Sequence, residues 1–513
     1  MNGAEALVRT AVAAGIDTCF ANPGTTEMHL VAALDAVPGM RSVLGVFEGV
    51  CTGAADGYGR MADRPALTLL HLGPGFASGL ANLHNARRAF TPIVNLIGDH
   101  PTWHVAHDAP LTSDIESLAR PMSKWVRTSA TSQALAADFA DAVAASLSAP
   151  TGVASLVIPA DCAWDPAPDA LPRPAPRPAA KVDEVALEAA AIALKPGSRS
   201  VLLLGGGALR EATLRQAARI AAVSGCRIMV DSFVSRLERG PGLPRVERVP
   251  YFPEQITESL RGVSHLVVAG TREPVAFFGY PSRGSRPVPP ECQIVALGGV
   301  EHDLLPALEA LAERLGAGIP PQAGKIERPS LPAGPLTPAT LGAAIAGLQP
   351  ENAIVVDEAA TSGLPYWLQS GALPPHSLLG LTGGAIGQGL PCATGAAVAC
   401  PDRPVIAIQA DGSGLYTAQA LWTQAREGLD VTTIVCANRE YRILRVELAR
   451  AGIAQPGEQA LQLTSLRGPD IDWVGLGRGF GVPSARVETA DQLVAKLRRA
   501  LVEPGPHLIE AIL

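Results

Sequence analysis

Residues 405–441 read VIAIQADGSGLYTAQALWTQAREGLDVTTIVCANREY. The run 405–409 is apolar, the short residues Ala410-Asp411-Gly412-Ser413 follow it, and a second apolar run, 431–436, leads to Asn438. This is the pattern of two buried parallel strands joined through a helix, with a turn at the carboxyl end of the first. Ligands of such sheets sit outside those carboxyl ends. Asp411 and Asn438 therefore fall at adjacent strand ends and can pinch one cation between them. The small residues after Asp411 let main-chain N–H groups approach phosphate oxygens. A hard cation with few protein oxygens, completed by phosphate and water, is Mg²⁺. Taken alone, an Asp-Gly turn followed by an asparagine also fits a purely structural turn.

The rest of the chain sets the frame. Its 513 residues favour about three domains. With 47% hydrophobic, 4% aromatic and 17% charged residues, it suits tightly packed α/β layers. The formal charge of -7 comes without a basic block, which argues against a nucleic-acid surface and for small-molecule partners. Eight cysteines lie scattered without a CxxC pair, so neither a zinc site nor a disulfide framework is signalled, and they read as buried thiols of a reducing compartment. No secretory signal opens the sequence and no 18-residue uninterrupted apolar run occurs, so a cytoplasmic protein without a membrane partner is expected.

Two proline-rich stretches, 165–178 and 319–338, read as exposed linkers and divide the chain into three. In the first segment, residues 4–14 suggest a helix, 18–21 a strand, Asn22-Pro23-Gly24-Thr25-Thr26 a turn into another helix, and 42–47 a strand. Residues 66–71 form another expected strand, ending in the turn Gly73-Pro74-Gly75, and 93–97 a further one. The middle segment shows a strand at 200–204, a Gly205-Gly206-Gly207 turn, a helix at 211–224, and strands at 227–231 and 264–269. Three glycines are a weak dinucleotide signal, and a tight strand-helix connection with nothing bound fits them better. The fold class is thus α/β, with doubly wound parallel-sheet domains.

The motif around Asp411 and Asn438 resembles that of the thiamine-diphosphate-dependent decarboxylase and carboligase family, which runs Gly-Asp-Gly through to Asn-Asn; Ala410 and Ala437 stand where the family has the first Gly and the first Asn. The resemblance spans essentially the whole chain. It implies a pyrimidine-binding domain over 1–165, a central Rossmann-like domain over 182–318 and a diphosphate and metal-binding domain over 338–513. It implies Asp411, Asn438 and the main-chain oxygen of Glu440 as ligands of Mg²⁺, and thiamine diphosphate as cofactor. Glu48, before the small-residue stretch CTGAADGYGR, matches the glutamate that activates the cofactor through its aminopyrimidine ring. An unpaired carboxylate between an apolar strand and an Ala/Gly helix is costly, so Glu48 needs a partner. In the segment TGGAIGQGLP (382–391), Ile386 matches the apolar wedge that bends the cofactor, with Gly384 beside it.

Thr361 and Ser362 resemble a second diphosphate-contacting turn, and Gly412, Ser413 and Tyr441 fall on the cofactor-binding stretch. Asn22, Pro23, Gly24 and Thr25 match a loop that borders cofactor and substrate. His71 matches a position facing the reacting centre, where an imidazole can shuttle a proton; a structural histidine is the other reading. Leu444 and Glu447 share a helical face and match substrate-pocket positions. Glu447 either reads a hydroxyl or cation on the substrate or pairs with Arg450 or Arg442. His100, His104 and His107 with Asp108 lack a flanking ligand pattern, so no metal is assigned there.

The stretches GPGFASGLANLHNARRA, GDHPTWHVAHDAPLTSDIESLARP and EGLDVTTIVCANREY look like short acetolactate-synthase-like large-subunit proteins. The flavin contacts of acetolactate synthases find no match in the middle segment, so FAD is not expected. Residues 277–281 (FFGYP) lack the histidine that benzoylformate decarboxylases present there. The resemblance implies decarboxylation of a 2-oxo acid with carboligation. Simple decarboxylation to an aldehyde is the alternative, and a catalytically degenerate binding homologue is a third reading. It also implies a homodimer or homotetramer with active sites at subunit interfaces.

Overall fold

The computed structural model describes residues 1–169, 171–281, 284–318 and 325–513. Ala170 and residues 319–324, which belong to the two expected linkers, lie outside the described residues, as do residues 282–283 of the middle segment. Two compact units are present: Met1–Arg177 with Pro329–Leu368 and Gly380–Leu513, and Pro178–Arg328 with Gln369–Leu379.

The larger unit holds two parallel sheets. In the first, β1 (Thr18–Asn22), β2 (Arg41–Leu44), β3 (Ala66–Leu70), β4 (Ile93–Asp99), β5 (Trp125–Thr128) and β6 (Val153–Pro159) take the order β2-β1-β3-β4-β6-β5. Its apolar face, with Leu67, Leu69, Val94 and Leu96, is buried against the helix α1 (Gly3–Ala13) and the helix Ser132–Leu147. Each such side chain contributes about 1.5–3 kcal/mol by leaving water. The order reverses between β1 and β3, so the turns after those two strands flank the crevice where a ligand is received.

The smaller unit carries β7 (Ser200–Leu204), β8 (Arg227–Val230), β9 (Leu237–Arg239), β10 (Glu247–Arg248), β11 (His265–Ala269) and β12 (Gln293–Gly298), with the sheet order β10-β8-β7-β11-β12. The helix expected at 211–224 is found as Glu211–Ser224, and the three glycines before it open a short 3-10 turn, Gly206–Leu209. Phe277 packs against Phe233 and Tyr251, with ring centroids 5.6 and 5.2 Å away.

The third segment supplies β13 (Ile354–Glu358), β14 (His376–Gly380), β15 (Val405–Ala410), β16 (Val431–Ala437), β17 (Ser484–Val487) and β18 (His507–Ile512). Parallel pairing gives the order β17-β18-β16-β15-β13. β14 pairs antiparallel with β9, so residues 369–379 fold with the middle segment.

Two expected elements differ. The strand expected at 42–47 stops at Leu44, and the chain turns at Gly45, whose N–H bonds Ala21 O at 3.0 Å; Glu48 is the first residue of helix α3 (Glu48–Ala62). The turn expected at Gly73-Pro74-Gly75 is the first turn of helix α4 (Leu72–Ala89), where a proline removes an N–H that has no intrahelical partner. One more helix of the larger unit precedes β2, α2 (Met28–Ala36), following the turn after β1.

Small residues determine how the two sheets of the larger unit meet. A Cβ on Gly57 of α3 would lie 2.0 Å from Cys392 O, and one on Gly395 would lie 1.8 Å from Ala54 O. Helix α3 and the helix Gly389–Ala399 therefore touch backbone to backbone. Beside this seam the buried Arg60 pairs with Asp56 at 2.7 Å and donates to Gly380 O and Thr382 Oγ1, while Asp56 also accepts from Thr91 and Gln388. The helix that starts with Glu48 is thereby fixed to the glycine-rich segment 382–388.

Candidate active site

The first half of the site is built at the β1–β3 crevice. The turn after β1 carries Asn22 to Thr26, and its Glu27 is fully buried. His71 caps α4, with its Nδ1 2.7 Å from Glu27 Oε2. Glu48 is half-buried and accepts no hydrogen bond at its carboxyl among the described residues. One of its carboxyl oxygens and His71 Cβ lie 3.0 and 3.2 Å from the point where a Cβ on Gly75 would sit, so the missing side chain leaves room for both. Thr25 is exposed at the rim.

The second half lies at the carboxyl ends of β13, β15 and β16. The pairing of Ala410 with Cys436 sets Asp411 and Asn438 just beyond neighbouring strand ends. Asp411 is buried, and burial raises its carboxyl above the usual range; Gly412 N at 2.9 Å and Arg439 N at 2.7 Å donate to its two oxygens. Asn438 Oδ1 accepts from Glu440 N at 3.0 Å. Each of these oxygens keeps a further lone pair for an ion.

A cavity of about 410 Å³ is lined by Pro338, Thr361, Ser362, Asn438, Glu440, Arg442 and Leu513. The helix Arg442–Arg450 begins at its wall, and free N–H groups at a helix start favour anions. Four residues expected from sequence, Thr361, Ser362, Asn438 and Glu440, thus meet in one cavity. Gly412 packs under Tyr441, whose ring would lie 2.6 Å from a Cβ there. Ser413 is turned inward, accepting from Gln409 Nε2 at 2.7 Å.

The segment with Gly384 and Ile386 is clamped from α4. Asn85 donates to Ala385 O at 2.7 Å and accepts from Ala385 N at 3.1 Å, His84 Nε2 lies 3.1 Å from Gly383 O, and Asn82 donates to Gly49 O at 2.8 Å. Ile386 itself is half-buried. From the other side the buried Glu358 accepts from Gly387 N at 2.6 Å and from Gly389 N, and burial pushes its carboxyl up to about 7.

Residues 1–118 match the model of the thiamine pyrophosphate enzyme N-terminal TPP binding domain, and residues 365–511 that of the C-terminal TPP binding domain. A Mycobacterium tuberculosis protein named "Putative acetolactate synthase large subunit IlvX" is 49% identical over 518 residues, covering 100% of this chain and 99% of its own. The chain belongs to the thiamine-diphosphate-dependent enzyme family. A benzoylformate decarboxylase of Pseudomonas aeruginosa is 28% identical over 97% of this thiamine-diphosphate enzyme and 96% of its own length. In fold, the enzyme is similar to the solved thiamine-diphosphate-dependent 4-hydroxybenzoylformate decarboxylase of Rhodococcus jostii RHA1, with a TM-score of 0.86, 24% identity, and coverage of 100% and 99% of the two chains.

The residues present fit the family's cofactor. The cavity carries hydroxyl, amide and guanidinium groups for a diphosphate, and among the described residues the buried Asp411 carboxyl has no cation paired with it and the Glu48 carboxyl has no donor. Thiamine diphosphate is the enzyme's cofactor.

Leu444 and Glu447 lie along the helix Arg442–Arg450 and are not among the residues lining the cavity. Glu447 Oε2 is 3.8 Å from Arg450 Nε, the pairing expected with Arg450 rather than Arg442. The rings of His100, His104 and His107 follow one another at 5.1 and 5.9 Å, and among the described residues no group of three or more His, Cys, Asp or Glu side chains is placed to hold a metal. No helix among them is long and apolar enough to cross a membrane.

Sequence reasoning missed Glu27, Glu358, Arg442 and the α4 clamp. Gly24-Thr-Thr-Glu27 does carry a signal: the glutamate three residues after the turn glycine accepts that glycine's N–H at 2.7 Å, as in a capping box. Asn82 and Asn85 carry none, because an amide on a helix gives no hint of the loop it reads.

Proposed function

We propose that the enzyme decarboxylates a 2-oxo acid and joins the remaining acyl fragment to a second carbonyl compound, an acetolactate-synthase-like carboligation. The cavity that gathers Thr361, Ser362, Asn438 and Glu440 beside buried Asp411 supports the cofactor this reading needs, and the 49% identity to a protein named "Putative acetolactate synthase large subunit IlvX" supports the carboligation. Thr361, Ser362 and the main chain from Gly412 to Ser413 would hold the diphosphate, and Asp411, Asn438 and the Glu440 main-chain oxygen would hold Mg²⁺. When bound, thiamine diphosphate supplies the carbon nucleophile and the electron sink that make loss of CO₂ possible.

The chain's own residues do the rest. Glu48 gives its carboxyl to the pyrimidine ring, and Ile386, with Gly384 beside it, props the cofactor's bend. Asn22, Pro23, Gly24 and Thr25 border the reacting groups, Tyr441 closes over Gly412, and His71 exchanges a proton with the substrate. Leu444 and Glu447 face the substrate's side chain, where the carboxylate favours a hydroxyl or a cation. We further propose a homo-oligomer, dimeric at least, whose subunit interface completes each site. Met28, Val46 and Trp103 support it: they follow the carboxyl ends of β1, β2 and β4 and are 47%, 44% and 65% exposed. The eight cysteines, none of them in a disulfide among the described residues, fit a cytoplasmic location.

Simple decarboxylation is the second reading, favoured by the near full-length similarity to benzoylformate decarboxylase. The test is a panel of 2-oxo acids, pyruvate first, offered with thiamine diphosphate and Mg²⁺, measuring CO₂ and identifying the organic product. A hydroxy-oxo product supports carboligation, and aldehyde stoichiometric with CO₂ supports plain decarboxylation. Failure to bind the cofactor in calorimetry would replace both with a non-catalytic role.

A further inference from the structure

We infer that Glu27 is a positioning residue for the reaction: its buried carboxylate grips His71 by Nδ1 and reserves Nε2 for proton exchange. The inference rests on the role proposed for His71. Glu27 is 0% exposed, where a carboxylate persists only with donors around it. It has three: Gly24 N at 2.7 Å, Thr26 Oγ1 at 2.5 Å, and Nδ1 at 2.7 Å, with Thr26 Oγ1 3.4 Å from the same nitrogen. Since the other two partners aim hydrogens at the carboxylate, Nδ1–H completes the set, and the neutral ring's free lone pair is on Nε2. That atom has no hydrogen-bond partner among the described residues.

The backbone is shaped for this pair. A Cβ on Gly98 would fall 1.7 Å from Glu27 Oε1, and one on Gly24 would fall 2.3 Å from His71 Nδ1. Two missing side chains thus open the space that carboxylate and imidazole occupy. Both groups sit at the β1–β3 crevice, and Gly75 brings the Glu48 carboxyl alongside His71 Cβ. A proton taken up at Nε2 yields an imidazolium whose charge the adjoining carboxylate neutralises, and its release restores the same tautomer. Glu27 touches no substrate; it acts through His71.

The test uses the full-length holoenzyme with ¹⁵N-histidine. With the ring neutral, the wild-type spectrum should show the Nδ1–H form, and Glu27→Ala should shift it to Nε2–H or to a mixture. With any 2-oxo acid that the panel turns over, Glu27→Gln should lower kcat on the order of 10²-fold while KM changes less than about threefold. Glu27→Asp should recover part of the loss, and Glu27→Ala should cost nothing further on a His71→Ala background. A wild-type ring protonated on Nε2 overturns the inference even if no substrate is found. So do losses that multiply in the double variant, or a folded Glu27→Gln enzyme with unchanged kcat. If no 2-oxo acid is turned over, the proposed function fails while the spectrum still decides the role of Glu27.

Discussion

Replacing Glu358 by glutamine should flatten the dependence of stability on pH. Glu358 is buried, accepts from Gly387 N and Gly389 N, and has its carboxyl raised from 4.5 to about 7, chiefly by burial. Between those values the folded chain keeps a proton that the unfolded chain has lost. Its stabilisation is therefore fully present below pH 4.5 and lost as pH rises through about 7. At about 1.4 kcal/mol per pH unit, the swing amounts to about 3 kcal/mol. Glutamine is neutral throughout and brings an N–H donor to a place where Gln409 Oε1 is buried with no hydrogen-bond partner among the described residues. That oxygen and Glu358 Oε2 lie 2.3 and 2.8 Å from the point where a Cβ on Gly389 would sit. Thermal unfolding of cofactor-free wild type and Glu358→Gln, from pH 5 to pH 8 at one protein concentration, is the assay. The variant's advantage should be small at pH 5 and grow to a few degrees at pH 8, by about 2–4 °C per kcal/mol or somewhat less for so long a chain. A difference that stays flat across that range would refute the assignment of a neutral, buried Glu358.

Other outcomes follow from the same geometry. Gly395→Ala drives a methyl into Ala54 O and should cost about 1–3 kcal/mol, read as a lowered Tm. Glu48→Gln should lower kcat by roughly 10²- to 10⁴-fold with little change in Tm or in cofactor affinity, measured by steady-state kinetics and calorimetry. Asp411→Asn should weaken Mg²⁺-dependent cofactor binding by at least about tenfold in calorimetry, a loss of about 1.4 kcal/mol. Glu447→Gln should change which 2-oxo acids are accepted; an unaltered substrate panel would leave Glu447 with a structural role, its ion pair with Arg450 included.

Much of this was legible in the sequence because it rests on local patterns. The runs at 405–409 and 431–436 became β15 and β16, and the turn between strand and helix sets Asp411 directly after the end of β15. Element ends were harder to read. Residues 45–47 look strand-like, yet among the described residues β2 pairs with β1 alone and its register ends at Leu44, which frees the chain to begin α3 at Glu48. What the sequence concealed was contact between distant segments. Glu27 meets His71 across 44 residues, and Asn85 meets Ala385 across 300, pairings set by strand order and helix packing rather than by spacing. Glu358 was invisible for a similar reason, since its environment comes from a loop that follows the next strand.

The main-chain contact at Gly57 and Gly395 bears on how such an enzyme can diversify. Because carbonyl oxygens face Gly57 and Gly395, substitution at these two positions can wedge the seam apart but cannot retune it by degrees. On the proposed assignment of the substrate pocket, new substrate preferences would arise around Thr25 and along the face that carries Leu444, while the two helices are kept as one rigid keel.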